Sequence, residues 1–487
     1  MKYVIALDAG TTSIRACVYD VNAGGFIHIA QQEVSQSYPN PGWVEQDADE
    51  IWYKAMYCLN DCVRTVGAEN VVGIGLTNQR ETVVMWNRET GEPVCPAIVW
   101  QCRRTSDFCA ALPKDIRAKI QARTGLLPDA YFSASKMKWC LENVPEAQKL
   151  LRENKLCAGT VDSYLIFRLT EGRSFVTDTT NASRTMLFDI RRLVWDGELL
   201  AFFGVPQSVL PEVVSSDARV GECAIGGKQI PIAGVAGDQQ AALVGQGCFR
   251  EGDAKVTYGT GLFLLFNTGK NCATSSRGLL STVAYTLEGK TTYALEGSVF
   301  NAGSSVQWLR DELKLISSAA ESEALSRSVP DTGGVRFVPA FTGLGAPYWA
   351  PEARGLLSGI TRGTNRAHVV RAVLESIAFG ARELSDCMIE DSGIRLGELR
   401  CDGGASANDF LMQFQSDVLG IAVNRPKERE STALGAALLC ASSLGLLELK
   451  DAGGRRKVDR IFLPDDARHL EAEKGYSEYL AAVKRAL

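Results

Sequence analysis

Apolar positions along this chain follow two rhythms. Short runs at 3–7, 14–19, 71–76, 82–86, 230–236, 255–257, 262–266, 281–287 and 291–295 are bounded mostly by Gly, Thr, Asp or Asn and read as strands. Residues 399–401 add another, which leads into Gly403-Gly404. Two longer stretches have helical spacing: 47–64, with Asp47 or Asp49 as its cap, and 364–388, a long amphipathic pattern. A further helix starts at Asn408. The uncharged stretch 431–447 is rich in Ser, Thr, Gly and Ala; it is short for a membrane span and reads as a buried helix. The tail from Lys450 is charged, carries no motif and reads as surface helix. Strands alternating with helices throughout predict an α/β protein.

Two Gly-Thr turns lie about half a chain apart, Asp8-Ala9-Gly10-Thr11-Thr12-Ser13 and Tyr258-Gly259-Thr260-Gly261, each between two apolar runs. Glycine lets backbone N–H groups approach a ligand closely, and threonine and serine add hydroxyl donors. Each turn therefore has the makings of a phosphate-gripping hairpin. Asp8, where its strand ends, is placed to face a metal ion on those phosphates. Either turn alone is also an ordinary hairpin turn. Their pairing implies a duplicated architecture whose halves meet near residues 245–255, giving domains at 1–246 and 247–487.

Composition narrows the classes. A net charge of −5, with no basic run, argues against nucleic-acid binding. The first ten residues lack a signal-peptide pattern, which together with the missing membrane span predicts a cytosolic protein. The 14 cysteines are scattered without a Cys-x-x-Cys pair, so they read as reduced, packed thiols. Only three histidines occur, His28, His368 and His469, none in a polar or Gly-rich constellation, so histidine catalysis and a zinc site are not expected. One decoy is set aside: Ala284-x-x-x-x-Gly289-Lys290-Thr291 matches a relaxed phosphate loop, but strands flank it on both sides, so Glu288-Gly289 reads as a hairpin turn.

Four segments carry candidate chemistry. In Thr77-Asn78-Gln79-Arg80-Glu81-Thr82, a guanidinium donor beside a carboxylate acceptor suits the hydroxyls of a polyol; the other reading is a solvated turn. Trp100, in Val99-Trp100-Gln101-Cys102-Arg103-Arg104, is either a wall against a C–H face or a core residue. Asp238, in Gly234-Val235-Ala236-Gly237-Asp238-Gln239-Gln240, follows a buried strand and opens a helix; it is either a general base for a hydroxyl nucleophile or a helix cap. In Cys401-Asp402-Gly403-Gly404-Ala405-Ser406-Ala407-Asn408, the glycines leave room for a flat ligand, and Asn408 caps a helix or holds a base or ribose. Gly303 and Gln307 share a helix face, and adenosine would sit between the two segments; a Gly-Gly C-cap and a helix-packing glycine are the plainer readings.

Taken in order, these segments resemble the FGGY family of carbohydrate kinases, and within it the glycerol kinases. The matching stretches also include Pro41-Gly42-Trp43-Val44-Glu45-Gln46-Asp47, Val161-Asp162-Ser163-Tyr164-Leu165, Thr180-Asn181-Ala182-Ser183-Arg184-Thr185-Met186 and Phe341-Thr342-Gly343-Leu344-Gly345-Ala346-Pro347-Tyr348-Trp349. The resemblance implies two actin-like (ribonuclease H-like) ATPase domains flanking a deep cleft, and transfer of phosphate from MgATP to glycerol. It implies that Arg80, Glu81, Tyr131, Asp238 and Gln239 hold the hydroxyls while Trp100 and Phe263 pack on the carbons. Asp238 would be the base and Asp8 would hold Mg²⁺. Thr11, Thr12, Ser13, Arg15 and Thr260 would line the phosphates, and Gly303, Gln307, Gly404 and Asn408 the adenosine. It also implies a homodimer or homotetramer. Ala9 and Ile14 depart from the family's glutamine and serine, and 225–230 is shorter than the sugar-bisphosphate loop of regulated relatives. A kinase of the same superfamily acting on a ketose or sugar acid, and a non-kinase nucleotide switch of the same fold, are the competing readings.

Overall fold

The computed structural model describes residues 2–450 and 456–487. Among these, two large mixed sheets repeat one topology. The first is built from β1 (Tyr3–Ala9), β2 (Ser13–Asp20), β3 (Gly25–Glu33), β4 (Val71–Asn78), β5 (Arg219–Ile225) and β6 (Lys228–Gly237), in the order β3-β2-β1-β4-β6-β5. The second comprises β7 (Ala254–Tyr258), β8 (Leu262–Gly269), β9 (Leu280–Leu287), β10 (Lys290–Val299), β11 (Glu398–Asp402), β12 (Ala422–Pro426) and β13 (Val458–Phe462), in the order β9-β10-β8-β7-β11-β12-β13. In both, the hairpin strands pair antiparallel (β1 with β2, β7 with β8), the next contacts are parallel (β1 with β4, β7 with β11), and an antiparallel strand closes the edge. Each Gly-Thr turn is the tip of its sheet's central hairpin. The Glu288-Gly289 segment is a hairpin turn joining β9 and β10, with φ of 48° and 69°.

Helix starts follow the capping chemistry of the sequence. Asp47 accepts from Asp49 N at 2.9 Å and opens α1 (Ala48–Val66). Further along are α2 (Asp238–Gly245), α3 (Gly303–Asp311), α4 (Arg366–Ser392), α5 (Asp409–Leu419), α6 (Ser431–Ser443) and α7 (Asp466–Ala486). Asn365 and His368 form a reciprocal capping box at the start of α4, which gives that histidine a structural task. His28 faces Asp61 at 2.7 Å, and His469 bonds the Asp417 carbonyl at 2.7 Å. All 14 cysteines are unbridged, and most are buried. The 225–230 segment is a two-residue turn at Gly226-Gly227 between β5 and β6.

The tail corrects the sequence reading. Residues 451–455 lie outside the described residues. Beyond them the chain first adds β13 to the second sheet, and α7 then buries Tyr476, Tyr479 and Val483. The Phe379 ring of α4 lies 5.8 Å and 5.2 Å from Tyr476 and Tyr479. Their apolar stripe at helical spacing was hidden by the charged residues around it.

The halves share a core. Buried Val4, Ala6, Ala233 and Ala236 of the first sheet cluster with Leu265, Ala284 and Ala294 of the second, with α2 and α6 packed among them. Such close packing needs glycine. A Cβ on Gly435 of α6 would stand 1.8 Å from the Ala241 carbonyl oxygen in α2, and one on Gly245 would stand 2.0 Å from the Ser431 carbonyl oxygen. A Cβ on Gly75 of β4 would meet the Ala436 carbonyl oxygen at 2.2 Å. These obstacles are backbone, so nothing can rotate away. Gly435→Ala is therefore expected to lose about 3 kcal/mol or more of stability. A urea midpoint equal to wild type would show that α2 and α6 are not this close.

Candidate active site

Strand β1 brings Asp8 to the first hairpin. Asp8 is 9% exposed, and burial pushes its carboxyl up to about 7, against the pull of Arg15. Gly10 N donates to Ser13 O at 3.0 Å, closing the turn. Thr11 and Ser13 are half-buried and Thr12 is exposed. Arg15 pairs with Glu430, just before α6, at 2.5 Å and bonds Gln31 at 3.0 Å.

The Thr77–Thr82 segment is buried throughout, which removes the solvated-turn reading. Glu81 takes a left-handed backbone, φ 62°, at the bend. The Arg80 guanidinium grips both carboxylate oxygens of Glu296 (2.5 and 3.1 Å), and its Nε lies 3.2 Å from Asp238. Arg184 donates to Glu81 at 2.7 Å and to Glu296 at 2.8 Å. Burial alone would raise the Glu296 carboxyl, but Arg184 and Arg80 overcome it and hold it down at about 2. Glu81 shifts up, because burial outweighs Arg80 and Arg184.

Asp238 is the first residue of α2 and is displaced from the capping position by Gly237. Its side chain keeps 31% of its surface open, in contrast to the sealed Arg80 and Glu296. Burial raises its pKa, opposed by Arg80, by the Gln239 N–H at 2.7 Å and by Lys255. An accessible carboxylate with a raised pKa beside a fixed guanidinium can take a proton from a hydroxyl. Gln239 accepts from Lys255 Nζ.

A relay of buried amides ties this floor to the first hairpin. Thr82 Oγ1 donates to Gln79, Gln79 Nε2 donates to Gln46 at 2.8 Å, and Gln46 donates to the Thr11 carbonyl at 2.6 Å. The Trp100 indole N–H donates to Thr11 Oγ1 at 2.9 Å, and its ring stands edge-on to Tyr131 at 5.5 Å. Trp100 is thus half-buried rather than a core residue. Buried Lys136 donates to the carbonyls of Tyr131 and Phe132, fixing the backbone that carries the Tyr131 ring. Phe263 is half-buried on β8, in register with Thr257 and Ser298.

The second hairpin opens onto a cavity of about 490 Å³, lined by Thr260, Gly303, Gln307, Gly404 and Asn408 among others. A Cβ on Gly303 would lie 2.5 Å from the Gly259 carbonyl oxygen, so this glycine serves the hairpin-to-helix contact. A Cβ on Gly404 meets nothing within 4 Å. Asn408 caps α5, accepting from Leu411 N at 3.0 Å, and donates to Ser322. It shapes the wall with both ends of its amide engaged.

Arg184, Glu296, Lys255, Gln46 and Gln79 had no role in the sequence reading. The available signal was an acidic or basic residue inside an apolar strand, as in Tyr293-Ala294-Leu295-Glu296-Gly297 and Ala254-Lys255-Val256. Among the described residues no group of three or more His, Cys, Asp or Glu could hold a metal by itself. A Mg²⁺ shared with phosphates needs only one or two carboxylates. No helix among the described residues is long and apolar enough to cross a membrane.

Sequence profiles of the FGGY family of carbohydrate kinases match the chain, the N-terminal domain at residues 3–245 and the C-terminal domain at 254–444. The chain is 52% identical to a glycerol kinase of Klebsiella pneumoniae, over 100% of this chain and 98% of the relative. It is also 52% identical to a glycerol kinase of Treponema denticola, over 100% and 99%. The crystal structure of Plasmodium falciparum glycerol kinase with ADP superposes with a TM-score of 0.93 at 38% identity, covering 100% of this chain and 98% of that one. A xylulose kinase of Lactobacillus acidophilus shares the fold, with a TM-score of 0.89 at 22% identity, covering 99% of this chain and 97% of that one.

Asp8 gives a pH signature in the nucleotide-free protein. Folded, its carboxyl stays protonated up to about 7, against an ordinary value of 3.8. Its contribution to stability is present below the lower value and is lost as pH rises through the upper one. Asp8→Asn should therefore gain on wild type between these pH values, by up to about 1.4 kcal/mol per pH unit, and hold a constant lead above them. Chemical denaturation in EDTA across that range checks this; a pH-independent difference would contradict it.

Proposed function

The chain belongs to the FGGY family of carbohydrate kinases, and from that membership and the charge cluster around Arg80 and Asp238 we infer that it transfers the terminal phosphoryl group of ATP to glycerol, giving sn-glycerol 3-phosphate and ADP. The observation that carries the reading is Asp238: open on one side, at a helix start, 3.2 Å from an otherwise sealed guanidinium. Its carboxylate accepts the proton of a terminal hydroxyl as that oxygen attacks the γ-phosphorus in line, and ADP departs. Arg80, through the Nε it keeps toward Asp238, offers a donor and Glu81 an acceptor to the remaining hydroxyls, with Tyr131 and Gln239 beside them. Trp100 and Phe263, both half-buried, pack on the carbon face of a three-carbon polyol. The full-length identity to glycerol kinases supports the same substrate.

The nucleotide fits the remaining geometry. The cavity at Gly404 takes adenosine, with Gly303, Gln307 and Asn408 as its walls, and Thr11, Thr12, Ser13 and Thr260 present hydroxyls and backbone N–H groups to the phosphates. Arg15 joins them by exchanging Glu430 for phosphate. The donor set suits Mg²⁺: Asp8 is a hard oxygen ligand whose buried charge lacks full compensation, the condition a divalent cation relieves. Mg²⁺ held by Asp8 would neutralise charge on the phosphates. Residues 1–246 then carry the acceptor site and the first hairpin, and 247–487 the second hairpin and the adenosine site.

ADP release with MgATP should be strong on glycerol and weak on dihydroxyacetone, xylulose, ribulose and gluconate. Turnover only on a ketose or sugar acid would overturn the substrate, and ATP hydrolysis indifferent to every polyol would overturn the transfer reaction. Asp238→Asn should lower kcat by about 10²–10⁴ while leaving the fold intact. Gly404→Leu, whose side chain enters the cavity, should raise KM for ATP by about tenfold or more with glycerol KM unchanged. Unchanged ATP kinetics would move the nucleotide elsewhere.

A further inference from the structure

Two buried charges of the second half have no part in the transfer reaction, yet both reach across to the acceptor residues of the first. Lys255 is in register with Leu265, and Leu265 with Glu296, so the two charges flank one leucine in a single row of the second sheet. The next row on the same face is Thr257, Phe263 and Ser298. Lys255 is 0% exposed and Glu296 1%. Burying an ion pair does not by itself favour stability over apolar packing, so these charges call for another explanation.

Each one fixes an orientation. Glu296 takes both terminal nitrogens of Arg80, which settles the plane of the guanidinium and leaves Nε toward Asp238. Without it, only the neutral Gln240 Oε1 at 3.2 Å and Tyr131 hydroxyl at 3.5 Å hold the terminal nitrogens, and the cation is drawn toward the carboxylates of Asp238 and Glu81. Lys255 has only donors, and it donates to the side-chain oxygen of Gln239 and to Thr257 Oγ1 at 3.0 Å. An ammonium against the amide oxygen excludes the flipped amide, so Gln239 presents its NH₂ group away from Lys255.

We propose that Glu296 and Lys255 are positioning residues for the phosphoryl acceptor: the second half orients, through Arg80 and Gln239, the groups that the first half offers to the polyol. The proposal rests on the acceptor reading given above, and the test separates the two.

Steady-state kinetics on Glu296→Gln and Lys255→Met, each checked for folding by circular dichroism, should show KM for glycerol raised by about tenfold or more and KM for ATP within about twofold of wild type. Glu296→Asp and Lys255→Arg keep the charge and should recover part of the loss. Calorimetric titration with glycerol reads the same weakening without turnover. Should Glu296→Gln fail to fold, Lys255→Met and Glu296→Asp carry the test. Folded variants whose glycerol KM stays within about twofold of wild type, or whose ATP and glycerol KM rise together, overturn the proposal. A wild-type enzyme indifferent to glycerol would instead overturn the acceptor reading.

Discussion

Glu296 comes from the second sheet and is held between two guanidiniums, Arg80 and Arg184, that belong to the first half. None of the three is more than 2% exposed. An uncompensated charge in such a place would be destabilising by several kcal/mol, so none of the three can be solvated or left alone while the molecule is folded. The pairing constrains everything near it. Glu81 must bend through a left-handed backbone to meet Arg184, and Asp238 must stand where Arg80 has one nitrogen left. The halves must also stay in register where β10 passes the first half's floor. Asp238 keeps an open face at a junction that is otherwise sealed, the one carboxylate of the group that a solute can reach.

Packing of the opposite kind joins the halves behind this polar junction. Helices α2 and α6 approach so closely that glycine is required where they cross, and the small residues of α6 lie against β1, β4 and β6. Close backbone contact is stiff, because it has no side chains to rearrange. Asp238 opens α2 and Glu430, the partner of Arg15, precedes α6, so both carboxylates are carried by this rigid pair. The buried amides from Thr82 through Gln79 and Gln46 to Thr11 extend the same rigidity to the first hairpin. Fully satisfied networks of this kind hold one arrangement of groups, which is what in-line transfer needs.

Much of this was legible in the sequence. The strands, the α1 and α4 helices, the hairpin at Glu288-Gly289 and the turns at Gly10 and Gly259 follow from local rules: alternation, helical spacing, capping residues and glycine at tight bends. Arg80, Glu81 and Asp238 were visible because polar residues interrupt apolar runs there. Local patterns were silent on which residues meet. Glu296 and Lys255 read as strand residues, and only the pairing of β10, β8 and β7 aligns them in one row beneath Arg80 and Gln239. The α7 stripe was likewise masked by charge until α4 covered it. Burial removed the solvated-turn reading of Thr77–Thr82, and hydrogen-bond partners showed Asn408 capping α5; both are long-range or tertiary facts. The sequence by itself determined element types and the chemical inventory, since these depend on neighbours a few residues away. Tertiary structure decided the charge partners, the burial and the open face of Asp238, since these depend on groups up to hundreds of residues apart.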